Sequence, residues 1–174
     1  HMTAPLPSAE QAARAIRLAM KAARIAPDEI DYVNAHGSST PLNDKTETLA
    51  LKLALGEHAY RVPISSTKAL YGHALGASGA IEAAICALVF RHSYLPMTAN
   101  LHEPDPECDL NYLPGQGLSR RVRYVLSNSF GFGGVNAALV FGRYPNRGLL
   151  RVISDNVKRM RPLSPWARKA RQTT

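Results

Sequence analysis

The chain has 174 residues, 45% of them hydrophobic and 20% charged, enough apolar material for one domain with a sizeable core. Its formal charge of +8 is confined to one end: residues 1–142 carry 12 Lys/Arg against 12 Asp/Glu, whereas 143–174 carry 9 against 1. With no zinc-finger, helix-turn-helix or aromatic-interleaved sheet motif, a nucleic-acid partner is not expected. A membrane is not expected either, since no continuous apolar run reaches spanning length and no signal-peptide pattern opens the chain. The location read from the sequence is cytoplasmic.

In chain order, residues 8–25 read as a helix, with Ser8 and Gln11 spaced as a capping box and Ile16, Met20 and Ala23 recurring on one face. Pro27 and Asp28 close it, and residues 31–35 read as a short strand ending at His36-Gly37. The next helix covers 43–55, with Leu49, Ala50 and Leu53 facing inward and Gly56 as its stop. A second short strand at 62–66 leads into a helix at 74–91, polar only at Ser78 and Glu82 before its terminal Arg91. A helix so apolar belongs in an interior. A loop rich in Pro, Asn and Asp runs from 96 to 117, a length that often covers a site or a partner. Two strands, 123–129 and 135–142, flank the glycine turn 131–134 as a hairpin. Beyond 143, Pro145, Pro162 and Pro165 interrupt a tail with room for a short helix near 149–159. Helix–strand–helix–strand–helix order predicts an α/β domain with a largely parallel sheet over 1–142 and a basic tail over 143–174.

His36, the Lys68/His73 pair and the turn between Asn128 and Asn136 all fall at the C-terminal ends of strands, which share one side of a parallel sheet. Neutral histidines near a lysine suit reactions in which negative charge develops on a carbonyl oxygen. Glu82, inside the apolar helix, needs Lys68 or backbone donors as a partner. Plainer readings stand beside these: His36 as a turn residue, Phe132 as an apolar turn residue, and His58, His92 and His102 as surface groups. Cys86 and Cys108 form neither a metal pattern nor a disulfide framework, and no metal is expected.

Three segments, NAHGSSTPLND (34–44), SSTKALYGHALGASGAIE (65–82) and SNSFGFGGVN (127–136), together resemble the β-ketoacyl-acyl carrier protein synthases, condensing enzymes of the thiolase superfamily. The forms are nearer to the discrete fatty-acid elongation enzymes than to modular polyketide synthases. The resemblance implies the C-terminal half of a thiolase-like αβαβα fold, a mixed sheet with a buried central helix. It implies His36 and His73 as active-site histidines supported by Lys68. Ser38 and Thr40 would hydrogen-bond a phosphopantetheine arm, and Phe132, with Gly131 beside it, would gate the site and lend a backbone N–H to an oxyanion hole. Asp44, Glu47, Glu82 and Asn128 would be structural groups near the site. Ser38 stands where the family more often has Thr, and Val135 where it commonly has a polar residue.

No residue corresponds to the family's nucleophilic cysteine, which belongs to the other half of the fold. Cys86 reads as a packing residue inside a helix and Cys108 as a loop residue. Two functions follow. One is the C-terminal portion of a 3-oxoacyl-acyl carrier protein synthase, inactive alone, paired with a missing N-terminal half or another synthase chain. The other is a non-catalytic half-domain that binds the carrier protein or a synthase partner. In either case no cofactor is held permanently, the phosphopantetheine arm arrives on the carrier, and the exposed apolar helix implies an oligomer.

Overall fold

A computed structural model describes residues 7–144; the tail beyond, including the short helix read near 149–159, lies outside the described residues. The elements are α1 (Glu10–Ala23), β1 (Tyr32–Asn34), α2 (Asn43–Leu55), β2 (Ile64–Ser65), α3 (Lys68–Tyr71), α4 (Ser78–His92), β3 (Tyr94–Leu95), β4 (Leu118–Ser119), β5 (Tyr124–Phe130) and β6 (Asn136–Gly142).

The main sheet has the order β2-β1-β5-β6. β1 runs parallel to β2 and to β5, with Val33 opposite Ile64 and Leu126. β6 returns antiparallel, Phe130 pairing with Asn136 and Tyr124 with Gly142. The sheet is therefore mixed, because a short glycine turn joining β5 to β6 can only make an antiparallel pair. β3 and β4 form a separate two-stranded ribbon.

β1 and β2 are buried throughout, whereas β6, at the sheet edge, alternates partly buried and exposed positions and leaves Leu139 outward. Val33, Ile64 and Leu126 face α1 and α2, packing on Ile16, Met20, Leu51 and Leu55. Tyr32 and Val125 face the other way, against Cys86 and Val89 of α4. Each Leu or Ile buried in this way contributes roughly 1.5–3 kcal/mol relative to exposure.

Several sequence expectations are corrected. Ser8 does not cap α1: the cap residue is Ala9, at φ 55° and 1% exposed, with no side-chain cap bond. Burial of Ala9 fixes the entry to the helix and leaves Ser8 one residue too early. The helix ends at Ala23 because Arg24 is left-handed (φ 57°), and Ala23 is exposed. In α2 the inward face is Ala50, Leu51, Ala54 and Leu55, while Leu49 and Leu53 are 39% and 47% exposed. The spacing admits either pair of leucines, and packing against α1 selects one. The helix expected over 74–91 starts later: a short α3 not read from the sequence stops at Gly72 (φ 83°), a 3₁₀ turn covers Leu75–Ala77, and the α-helix begins at Ser78.

α4 buries a single strip, Ser78, Glu82, Cys86 and Val89, and leaves Leu88 49% exposed. By length and composition, Leu75–His92 is apolar enough to cross a membrane, with mean hydropathy 1.2 over 18 residues. Its strip packs on β5, as in a core helix covered on one side.

Candidate active site

His36 follows β1 and is 8% exposed. Its backbone N–H and that of Gly37 donate to the two oxygens of Glu47 on α2, at 2.9 and 2.8 Å. Asn128 of β5 donates to the same carboxylate at 3.1 Å. Burial pushes Glu47 upward in pKa and these three N–H donors oppose it. Gly37 sits at φ 41°, and a Cβ there would overlap the side chain of Ser66, whose hydroxyl donates to the Gly37 carbonyl at 2.7 Å. The turn at His36 is thus fixed by β2, α2 and β5 together.

Lys68 opens α3 and is 6% exposed. It donates to the His36 carbonyl at 2.6 Å and pairs with Glu82, which is fully buried. Tyr71, one turn further along α3, donates to the same Glu82 oxygen at 3.3 Å. Asn34 Oδ1, Glu82 Oε2 and Asn128 Oδ1 are buried without a hydrogen-bond partner among the described residues. Each unpaired acceptor costs about 1–3 kcal/mol, so polarity is retained here against stability.

The interval between α3 and α4 brings His73 to His36: their ring centroids lie 5.4 Å apart, edge to face at 80°. Phe130 stands 6.0 Å from His36 on another side. The His73 Nδ1 accepts from the backbone N–H of Leu75 at 3.1 Å and lies 3.1 Å from the Ser78 hydroxyl. A backbone N–H can only donate, so Nδ1 is an acceptor and the proton of the neutral ring sits on Nε2. His36 is held neutral by burial first, then by the nearby Lys68 and His73, its pKa lowered to about 4.

A cleft of about 690 Å³ opens from Lys68 and His73 past Ser38 and Thr40 toward Asp105, Cys108 and Tyr112. The Ser38 and Thr40 hydroxyls are 2.9 Å apart. Asp44 accepts from Ser39 N–H at 3.2 Å and from Asn43 at 3.0 Å, bracing that rim. Gly131 and Phe132 are not among the cleft's lining residues. Phe132 is 70% exposed, and the Gly131 N–H is already given to the Val135 carbonyl at 2.8 Å. Cys86 is fully buried and its thiol is pushed up to about 12 by burial; burial also raises Cys108. Neither is a thiolate near neutrality.

Sequence reasoning singled out His36, Lys68, His73 and Glu82, and the structure brings them together. It missed Tyr71 as a second partner of Glu82, although the i, i+3 spacing from Lys68 was available, and Ser78 as the partner of His73. The loop read over 96–117 as covering a site does supply the far wall of the cleft, through Leu101, Asp105, Cys108 and Tyr112, but its pairing with α2 was not anticipated. His58, read as a surface group, is half-buried, its Nε2 lying 2.8 Å from the Ile30 carbonyl.

The mixed sheet, with His36 and His73 gathered beyond the ends of β1 and β2, matches the ketosynthase C-terminal part of the thiolase fold. The chain belongs to the β-ketoacyl synthase family through its C-terminal domain: the family described as "Beta-ketoacyl synthase, C-terminal domain" matches residues 1–102. It is 52% identical over 144 residues to 3-oxoacyl-[acyl-carrier-protein] synthase 2 of Synechocystis sp., covering 83% of this chain and 35% of that protein. Similarity to the tetracenomycin polyketide synthase ketoacyl synthase alpha subunit of Streptomyces glaucescens is 50% over 143 residues, 82% of this chain and 34% of that one. Among solved structures, a type II polyketide synthase acyl-carrier protein in complex with its ketosynthase bound to the hexaketide matches at TM-score 0.81 and 41% identity, covering 83% of this chain and 36% of that chain. A β-ketoacyl synthase from Burkholderia phymatum matches at 0.78 and 42%, covering 83% and 35%. The chain spans about a third of the length of the curated relatives it matches.

Proposed function

We propose that this chain supplies the histidine-bearing part of a 3-oxoacyl-acyl carrier protein synthase, acting in fatty-acid or polyketide assembly. The observation that carries the reading is the pair of neighbouring imidazoles, His73 lining the inner end of an open cleft with its Nε2–H free to donate and His36 buried and neutral beside it. In the condensation, a malonyl thioester loses CO₂ and the electron pair of the broken C–C bond passes into an enolate. The two ring N–H groups donate to the enolate oxygen as charge develops there. The carbanion then attacks the acyl thioester carbonyl, and a thiolate leaves. Lys68, bonded to the His36 carbonyl, holds that histidine in place rather than exchanging protons. Ser38 and Thr40 hydrogen-bond the phosphopantetheine arm.

The acyl-holding thiolate comes from elsewhere, since Cys86 and Cys108 both have raised pKa values. The chain alone is therefore inactive in condensation and works against a second synthase layer seated on the outer face of α4, with the carrier protein as the other partner and an oligomer as the working form. That same exposed face favours a second reading, a half-domain that binds the carrier or a synthase without catalysing. The test mixes the full chain with the separately expressed N-terminal portion of a relative and measures malonyl decarboxylation and condensation. Activity that appears only in the mixture, and disappears with His36→Ala, is the expected result. A mixture that associates and binds carrier yet stays inactive overturns the catalytic reading in favour of the second.

A further inference from the structure

The outer wall of the cleft is a single excursion of the chain, residues 99–111, and its two ends and its tip are held by different physics. At the ends, Thr98 N–H donates to the Leu113 carbonyl at 3.0 Å, the Thr98 hydroxyl donates to the Tyr112 carbonyl at 2.7 Å, and Ile64 N–H of β2 donates to the Asn111 carbonyl at 2.8 Å. Leu95 and Leu113, just outside, are buried. Between them no residue from 99 to 111 is buried.

The tip is instead fastened to one side of α2, where Lys45, Thr48 and Lys52 follow one another at helical spacing. Lys45 pairs with Glu107 and lies 3.6 Å from Asp105; Lys52 pairs with Asp109 at 2.5 Å. Between these pairs the Thr48 and Tyr112 hydroxyls are 2.5 Å apart. The tip is braced within itself, Glu107 N–H donating to Asp105 Oδ1 at 2.9 Å and Cys108 N–H to the Asp105 carbonyl at 2.8 Å. A stiff segment anchored at its ends, where Leu110 packs against the main core, and fastened at its tip chiefly by exposed charge pairs opens at low cost, because such pairs are individually weak and are screened by salt.

We infer that residues 99–111 form a lid over the cleft, latched to α2 through Lys45 and Lys52, whose opening admits what enters past Ser38 and Thr40. Only the identity of the entering group, the phosphopantetheine arm, rests on the function proposed above. The lid lowers Leu101, Asp105 and Cys108 onto the cleft, and ionic strength, or any anionic surface competing for the two lysines, shifts it toward open.

The molecule carries its own reporter and its own control. Cys108 rides on the lid and lines the cleft, whereas Cys86 is fully buried in the core. The full chain is treated with a maleimide at constant pH, at low salt and at about 0.5 M salt, where the Debye length falls below 10 Å. Labelling of each cysteine is followed by mass spectrometry of peptides. Cys108 labelling is expected to accelerate about five- to thirtyfold on releasing the latch, either by salt or by the double substitution Lys45→Ala/Lys52→Ala, with Cys86 unlabelled throughout. In the substituted chain the salt effect should vanish. Removing Lys45 also removes a charge that favours the Cys108 thiolate, so without lid movement the double variant would label more slowly. Equal or slower labelling in the variant overturns the lid, as does a rise in Cys86 labelling in step with Cys108, which marks global unfolding. Asp109→Asn, which weakens the latch from the lid's side, must accelerate labelling in the same direction. A pantetheine thioester added in a parallel arm reads the other question: if the lid responds to salt but the thioester leaves labelling unchanged, the lid stands and the proposed occupant falls.

Discussion

The two ends of the cleft are built from opposite materials. At the inner end, His36, Glu47, Lys68, Glu82 and Asn128 are all buried and tied across β1, α2, α3, α4 and β5. At the outer end, Lys45, Asp105, Glu107 and Asp109 have side chains 40–66% exposed, and only Lys52, at 26%, is partly sheltered. Charge in a low-dielectric interior is costly to break, and charge in water is cheap to rearrange. The same kinds of residue therefore give a rigid end where geometry matters and a yielding end where access matters.

That contrast predicts a graded set of responses. The largest should come from Glu82→Ala, which leaves the Lys68 ammonium buried without its carboxylate and should lower unfolding free energy by about 3–5 kcal/mol, read by thermal or denaturant melts. A loss below about 1 kcal/mol would mean that the inner end is as loosely held as the outer one. Glu47→Ala comes next, stranding two backbone N–H groups and the Asn128 amide, with a cost on the order of 3 kcal/mol. Glu47→Gln, which keeps one acceptor, should recover part of it.

A pH prediction follows from His36. Its native pKa of about 4 lies below the ordinary 6.5, so between those values the unfolded chain takes up a proton that the native chain refuses. Stability from this group is fully present above pH 6.5 and declines as pH falls toward 4. Replacing His36 by Asn should flatten that part of the stability–pH curve, and an imidazole NMR resonance titrating near 6.5 would contradict a buried neutral ring. Tyr71→Phe should cost about 0.5–1.5 kcal/mol, the net worth of one hydrogen bond. Smallest of all, Lys45→Ala with Lys52→Ala should change global stability by no more than about 1 kcal/mol while still opening the lid.

Much of the inner end was legible from the chain itself. His36, Lys68, His73 and Glu82 announce themselves as polar groups at strand ends or inside an apolar helix, and short-range patterns identify both helices that carry the core. What stayed hidden depends on contacts between distant segments. A short α3 before the expected helix, its end at Gly72 and the later start of α4 at Ser78 were not read from the chain, and His73 lies beside His36 in the interval between them. The choice of Leu51 and Leu55 over Leu49 and Leu53 is made by α1, whose inward Ile16 and Met20 lie far earlier in the chain than α2. The outer wall shows no periodicity, and its pairing of Asp105, Glu107 and Asp109 with lysines on α2 spans a separation that local reading cannot bridge.

α4 is inside out: its strip toward β5 holds a serine, a glutamate and a cysteine, while alanines and Leu88 look outward. On the function proposed above, folding and assembly make demands on different sides of one rod. Replacing Ala84, Ala87 or Leu88 by lysine should make this chain easier to keep in solution at little expense to its melting temperature, and should abolish complementation by an N-terminal portion. Engineering for solubility and engineering for catalysis would pull this helix in opposite directions.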